Sequence, residues 1–246
     1  MVVNSIKFPK LCYLFRTAFV GQRFRYSDFE FFQHQNPIWF WLPQVRKEGW
    51  NMTKEIKLLK PKEKGIISIE ETLHQRRSVR DYKKSSLNLE EVSQFLWAGT
   101  GKNLYRRTAP SAGATYPLEI YLVVGEVEGL EPGVYHYSIS KHHLERVIDG
   151  DVRKSLSRAA LEQGMIERAP ISFIITADYN RTTGHYGQRG IRYVHMEVGH
   201  VGQNISLQAV ALNMGTVMIG AFNDQQVKEI LRIEEEPLYI IPVGKI

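Results

Sequence analysis

No charged side chain occurs between Glu197 and Asp224, and the first part of that stretch keeps a helical rhythm. Ile191, Val194, Val198, Val201, Ile205, Ala209 and Leu212 recur every three or four residues, so a helix over about 190–213 is expected, with one apolar stripe facing a core. The opposite side holds Tyr193, Met196, His200, Gln203, Asn204, Leu207 and Ala211, again without charge. Both sides therefore read as buried. Such a helix is either central to a large core or shared with another subunit, and a two-fold dimer built around it would supply the second surface. His200, Gln203, Asn204, Gln208 and Asn213 make it too polar for a membrane span, so no membrane partner is expected.

The surrounding elements are of mixed type. Ser68-Ile-Glu-Glu71 and Asn88-Leu-Glu-Glu91 are capping boxes. The first opens a helix to about Gln75, and the second opens one ended by Gly99 and Gly101, with Leu87 and Val92 as its hydrophobic staple. β-Branched and aromatic content predicts strands at 118–124, 133–137, 144–148, 171–177, 216–219 and 238–243. Further helices are expected at about 151–162 and 224–232. This is an α+β pattern, without the regular alternation of a doubly wound sheet. The segment between 179 and 190, with His185, Tyr186 and Arg189, reads equally as a substrate wall or a solvent-exposed loop.

Composition breaks near Met52, which divides the chain into an extension over 1–51 and a main domain over 52–246. Residues 1–51 hold 13 of the 27 aromatics, the single cysteine Cys12, and 7 Lys or Arg against 3 Asp or Glu. They carry +4 of the net +6. Three readings of the segment stand open. It is an extension that packs its aromatics on the main domain or a partner subunit. It is a cation-aromatic surface, as in Arg23-Phe24-Arg25-Tyr26, for single-stranded nucleic acid or a membrane. Or it is a mis-assigned start, because Arg46-Lys47-Glu48-Gly49 is written in purine-rich codons of the kind found in a ribosome-binding site before Met52. No nucleic-acid module accompanies the second reading, and no nucleic-acid partner is expected. One cysteine excludes a disulfide framework and multi-cysteine metal sites, and suits a cytoplasmic protein.

Several tempting metal motifs fail on geometry. In His195-Met-Glu-Val-Gly-His200 the histidines are five apart, about 140° around a helix, and cannot share a metal from one face. Glu197-Val-Gly-His200 occurs once, where a di-iron bundle needs two copies. His195-x-Glu197 lacks the Pro-Cys-x-x-Cys of a zinc deaminase. No metal is expected here.

Three other motifs carry more. Arg76-Arg77-Ser78-Val79-Arg80 places three guanidiniums and a hydroxyl within five residues, suited to an oxyanion such as phosphate, although a solvated basic helix end would look the same. No P-loop or GxGxxG is present. Ala109-Pro110-Ser111-Ala112-Gly113-Ala114-Thr115-Tyr116-Pro117 is a run of small residues between prolines, able to approach a flat ligand closely or to be a plain loop. Ile219-Gly220-Ala221-Phe222 ends a strand on small residues, and Lys245 adds a cation near the C-terminus.

Taken in order, with Gly199-His200 and Gln203-Asn204 between the second and third motifs, this set resembles the nitroreductase-like FMN flavoproteins over about 60–246. The Ser-Ala-Gly-Ala-Thr-Tyr-Pro loop is most similar to that of the azoline dehydrogenases, which oxidise thiazoline and oxazoline rings. The resemblance implies an α+β sandwich in an intertwined homodimer, its central mixed or antiparallel sheet flanked by helices, with FMN at the subunit interface. Arg76, Ser78 and Arg80 would hold the phosphate and ribityl chain, with Arg77 beside them and Lys245 as a further contact. Pro110, Ser111, Ala112 and Gly113 would lie against the ring, contributed by the other subunit. Ile219, Gly220 and Ala221 would approach its reactive edge. The flavin itself carries the hydride, so no catalytic side chain is assigned. The implied activity is ping-pong transfer from NADH or NADPH through FMN to a small electron-poor acceptor, nitroaromatic or quinone-like. The alternatives are an azoline-type dehydrogenase acting on a modified peptide and a non-catalytic flavin-binding protein.

Overall fold

Reciprocal caps start the first two helices where the sequence places them. In the computed structural model, which describes residues 55–246, the Ser68 hydroxyl accepts the Glu71 N–H (3.1 Å) and the Glu71 carboxylate accepts the Ser68 N–H (3.3 Å). Asn88 and Glu91 repeat the exchange at 2.9 and 2.8 Å. They open α1 (Ile69–Gln75) and α2 (Leu89–Thr100), and the staple residues Leu87 and Val92 are fully buried. Gly99 lies inside α2, where an added Cβ would sit 3.3 Å from Ile205 Cγ1; it lets the long helix approach, and α2 stops one residue before Gly101. The readings made for residues 1–51 lie outside the described residues.

The strands are β1 (Glu55–Lys57), β2 (Leu118–Val124), β3 (Gly133–Ser138), β4 (His143–Asp149), β5 (Ile171–Ala177), β6 (Met214–Thr216) and β7 (Glu236–Lys245). They form one sheet in the order β1-β4-β3-β2-β5-β7-β6, and each neighbouring pair is antiparallel. Every residue of β5 is buried, because both faces of the sheet are covered there. On one face, Leu118, Leu122, Phe173 and Ile241 pack with Phe95 of α2 and with Val194, Val198, Val201 and Ile205 of α6 (Arg189–Ala211). On the other, Val123, Ile174 and Ile240 meet α3 (Arg153–Ala159), α4 (Met165–Arg168) and α7 (Asp224–Leu231). Each such side chain stabilises the fold by about 1.5–3 kcal/mol. No helix among the described residues is long and apolar enough to cross a membrane.

Three expectations need correction. The strand placed at 216–219 is β6 at 214–216; only these three residues find ladder partners on β7, and beyond them a single bridge, Ile219 to Ile240, remains. Residues 180–186, read as a loop, are the helix α5 (Asn180–Tyr186). Within a single chain the long helix is buried on one side only, which is not the arrangement of a helix central to one chain's core. Its second side leaves Met196 52% exposed, with His200 and Gln203 also exposed, because no element of the described chain covers it.

Candidate functional site

The arginine motif is an extended segment pinned to the β6–β7 edge of the sheet. Val79 N–H bonds the Thr216 carbonyl (2.9 Å), and Lys83 N–H bonds the Lys245 carbonyl (2.9 Å). Val79 packs where a Cβ on Gly215 would lie, 2.6 Å from its Cγ1, so the segment sits directly on backbone. Tyr82 covers Gly244 in the same way, and its hydroxyl donates to the Val79 carbonyl (2.9 Å). Burial pushes that phenol's pKa up, with Arg168 and Arg80 opposing. With Val79 turned in, extended geometry turns Ser78 and Arg80 away from it. Arg77, Ser78 and Arg80 are exposed and Arg76 is half-buried; among the described residues none of the three arginines pairs with a carboxylate. Lys245 lies on the same edge, its Nζ 3.7 Å from Glu91. An edge carrying three arginines without carboxylate partners fits a phosphate.

The small-residue loop is held in an unusual conformation. Gly113, Ala114 and Tyr116 have φ of 57°, 54° and 48°. For the two that are not glycine this costs of order 1–3 kcal/mol each, and it persists only where surroundings enforce it. The surroundings are visible. Ser111 accepts twice, at its carbonyl from Ala114 N–H (3.1 Å) and at its hydroxyl from Tyr116 N–H (3.0 Å). Arg181 of α5 donates to the Tyr116 carbonyl (3.1 Å), and the Thr115 and Thr182 hydroxyls bond at 2.8 Å. The Arg107 guanidinium stacks on the Tyr116 ring at 3.9 Å. Tyr186 closes over Gly113 so tightly that an added Cβ would meet its hydroxyl at 2.6 Å, and the Tyr186 ring meets Tyr193 edge-on at 5.0 Å. Tyr186, anticipated as a wall residue, thus does touch the loop. Pro110 and Gly113 are exposed, while Ser111 and Ala112 are half-buried.

The third motif offers mostly backbone. Ile219 is 4% exposed and exchanges both main-chain hydrogen bonds with Ile240 (2.9 and 3.0 Å), so it anchors the exposed Gly220 and Ala221. The Ala221 carbonyl is taken by Gln163 Nε2 (3.0 Å). Gly220 lies over Tyr239, which also packs on Gly202 of α6.

The arginine edge and residues 219–221 therefore share one border of the sheet, and the loop does not. Ser111 lies near Glu197 of α6, about 140° around the helix axis from Gly202. Along the axis, Glu197 is about 21 Å from Ala211, beyond which Thr216 meets the arginine segment. An open cavity of about 860 Å³ lies elsewhere, between residues 62–69, α2 and α6, and none of the expected cofactor residues lines it. Within one chain the motifs lie in two separate places rather than in one pocket.

Several residues of the loop's support escaped the sequence reading. Glu197 is 5% exposed, and burial pushes its carboxyl pKa up against the nearby Ser111 hydroxyl and the Arg107 charge. Burial also lowers Arg107, whose Nη1 is buried without a partner among the described residues. Glu119 hydrogen-bonds His136 (2.9 Å) and pairs with Arg181 (2.6 Å), and these contacts outweigh burial to hold its carboxyl low. The only signal of this support in the sequence was the nearness of Arg107 to the loop. The residues of the rejected metal motif lie in different surroundings: His195 bonds the Tyr179 hydroxyl (2.6 Å), His200 is exposed and Glu197 is buried. Glu55, His143 and Glu145 do place ligand atoms within 4.8 Å of one another at the sheet edge, but His143 already bonds Glu145 (2.7 Å) and Lys141 pairs with Glu55 (3.1 Å).

Residues 73–245 match the nitroreductase family. The Methanocaldococcus jannaschii protein MJ1384, whose name assigns it provisionally to the nitroreductases, is 52% identical over 181 residues, which cover 73% of this chain and 91% of its own. The trifolitoxin-processing protein TfxB of Rhizobium leguminosarum bv. trifolii is 35% identical over 120 residues, 47% of this chain and 32% of its own length. A solved structure from Anabaena variabilis, provisionally a nitroreductase, matches with a TM-score of 0.70 at 30% identity over 81% of this chain and 43% of that one. The family match runs from α1 to the end of β7 and so takes in all three motifs: the chain belongs to the nitroreductase family.

Proposed function

We propose that this chain is an FMN-dependent oxidoreductase acting as a homodimer, which takes a hydride from NADH or NADPH and delivers it to a small electron-poor acceptor, nitroaromatic or quinone-like. The observation that carries the reading is the pair of half-sites: a cationic edge with no carboxylate partners for its arginines, and a strained small-residue loop placed away from it by α6. A two-fold axis along the uncovered side of α6 would bring the loop of one copy to the edge of the other.

Bound FMN would supply two-electron hydride chemistry, and the chain supplies position and charge. Arg76, Ser78 and Arg80, with Arg77 and Lys245, would hold the phosphate and ribityl chain through charge-assisted hydrogen bonds. Pro110, Ala112 and Gly113 would present small groups to the ring, Ser111 contributing backbone because its hydroxyl is engaged within the loop. Gly220 and Ala221, anchored by Ile219, would approach the ring's other edge. Tyr186 and Tyr193 would wall the acceptor's space.

One observation favours a second reading. TfxB is a trifolitoxin-processing protein, and a processing role for this chain would take the form of an azoline-type dehydrogenase acting on a modified peptide. Rapid mixing of the FMN-loaded protein with NADH or NADPH separates the cases: bleaching faster than free FMN supports the reductase, bleaching only by an azoline peptide supports the second reading, and neither leaves a flavin-binding protein. Protein that takes up no FMN overturns all of them. Arg76→Ala with Arg80→Ala should release the flavin; retained stoichiometric FMN would show the phosphate is held elsewhere.

A further inference from the structure

Tyr116 stands directly before Pro117, a position that favours extended backbone, yet its φ is 48°. Without restraint the segment would straighten and carry the small-residue loop with it. Two contacts oppose this, one on each side of the residue. The Tyr116 N–H donates to the Ser111 hydroxyl (3.0 Å), and the Tyr116 carbonyl accepts from Arg181 Nη1 (3.1 Å). Because each peptide unit is planar, pinning the units before and after Tyr116 fixes both of its dihedrals. Ser111, inside the ring-facing stretch, is tied to them by the same hydrogen bond.

Arg181 is itself aimed from the sheet. Its Nη1 lies 2.6 Å from Glu119 Oε1, and the other Glu119 oxygen is 2.9 Å from His136 Nε2. Asp178 meets the guanidinium only at Nε, at 3.5 Å. Glu119 stands on β2 with its side chain 17% exposed, and its partners outweigh burial to keep it ionised. An arginine side chain has much rotamer freedom to lose, so a fixed carboxylate on a strand decides where the nitrogen of this one sits. Close polar contacts thus run unbroken from His136 on β3, through Glu119 and Arg181 of α5, to Tyr116 and Ser111.

We propose that Glu119 is a positioning residue: by aiming Arg181 at the Tyr116 carbonyl, it sets the Pro110–Gly113 surface that receives the flavin ring. Thr182 at Thr115 and Tyr186 at Gly113 hold other points of the loop, and Arg107 holds the Tyr116 ring. Arg181 acts at the strained backbone itself. This inference rests on the FMN reading above.

The test titrates the full-length chain with FMN, following flavin fluorescence and the visible spectrum of the bound flavin. Arg181→Met removes the donor to the carbonyl, and Glu119→Ala removes the group that aims it. Each should weaken FMN about fivefold and alter the bound spectrum, the effect of one hydrogen bond to a charged group, reduced because the Arg181 side chain is 41% exposed. The double variant should bind no more weakly than Arg181→Met alone, since both changes act through one carbonyl. Unchanged FMN affinity and spectrum in Arg181→Met, even with a lowered Tm, would overturn the proposal by leaving the pair a purely structural one. Losses that add in the double variant would overturn it too. If Glu119→Ala does not fold, Arg181→Met, a change at the surface, decides alone by the same criterion. Failure of the unaltered chain to bind FMN would instead strike the FMN reading, and the proposal with it.

Discussion

Replacing Gly113 by alanine adds one methyl group at the tightest point of the loop. The backbone there has φ 57°, which costs a residue with a Cβ about 1–2 kcal/mol. The new Cβ would also lie 2.6 Å from the Tyr186 hydroxyl and 3.3 Å from its ring, so Tyr186 must move. Moving it breaks the edge-on contact with Tyr193 at 5.0 Å, worth about 0.5–1.5 kcal/mol. Gly113→Ala should therefore cost about 2–3 kcal/mol, lowering Tm by about 4–12 °C in a chain of this size. Gly129→Ala is the control, since Gly129 has φ 79° with nothing within 4 Å of its Cβ. It should show the backbone cost alone, and the difference between the two melts isolates Tyr186. In a Tyr186→Leu background the Gly113→Ala loss should shrink to that of Gly129→Ala. Equal melting of Gly113→Ala and Gly129→Ala, read by circular dichroism, would refute the claim that Tyr186 clamps the loop.

Two further predictions follow from the scaffold. The hydrogen bond from Glu119 raises the His136 pKa above its ordinary value, so this pair's stabilisation is complete below about pH 6.5 and is lost as pH rises through the raised folded value. Urea unfolding should show stability falling between about pH 6 and 8 more steeply in the unaltered chain than in His136→Gln; parallel profiles would remove the pair from the account. Asn88→Ala removes the side-chain arm of the cap, in which Oδ1 accepts the Glu91 N–H at 2.9 Å, and should cost about 1 kcal/mol, read as a Tm lower by about 2–4 °C.

What could be read from the sequence was whatever rests on short-range rules. Both capping boxes, the staple and the strand from Leu118 to Val124 lie where spacing and residue type put them, because their partners are within a few residues or on a plain apolar face. The helix α5 was missed because Asn-Arg-Thr-Thr-Gly-His-Tyr has two β-branched residues, a glycine and no apolar stripe; it is held by Thr182 on Thr115 and by Arg181 on Tyr116, contacts about 65 residues away in the chain. The end of β6 was misjudged for a related reason. Thr216 to Ile219 has strand-like composition, but strand character ends where the ladder to β7 ends. In the candidate site, the cations and the small loop were legible as residue types. Glu197 and Tyr82 were not, since each acquires its role from a partner distant in sequence.

The central claim is that the flavin site is completed only across two copies, and subunit mixing tests it directly. Arg76→Ala with Arg80→Ala disables the cationic edge, and Ala112→Trp fills the loop's ring-facing surface. Each variant alone should bind no FMN. After the two are unfolded together and refolded as mixed dimers, half of them should be heterodimers with one intact site, so FMN should return to about one site in four. No recovery of FMN in a sample shown to contain heterodimers would contradict the account, because a site built within one chain cannot be repaired by its neighbour.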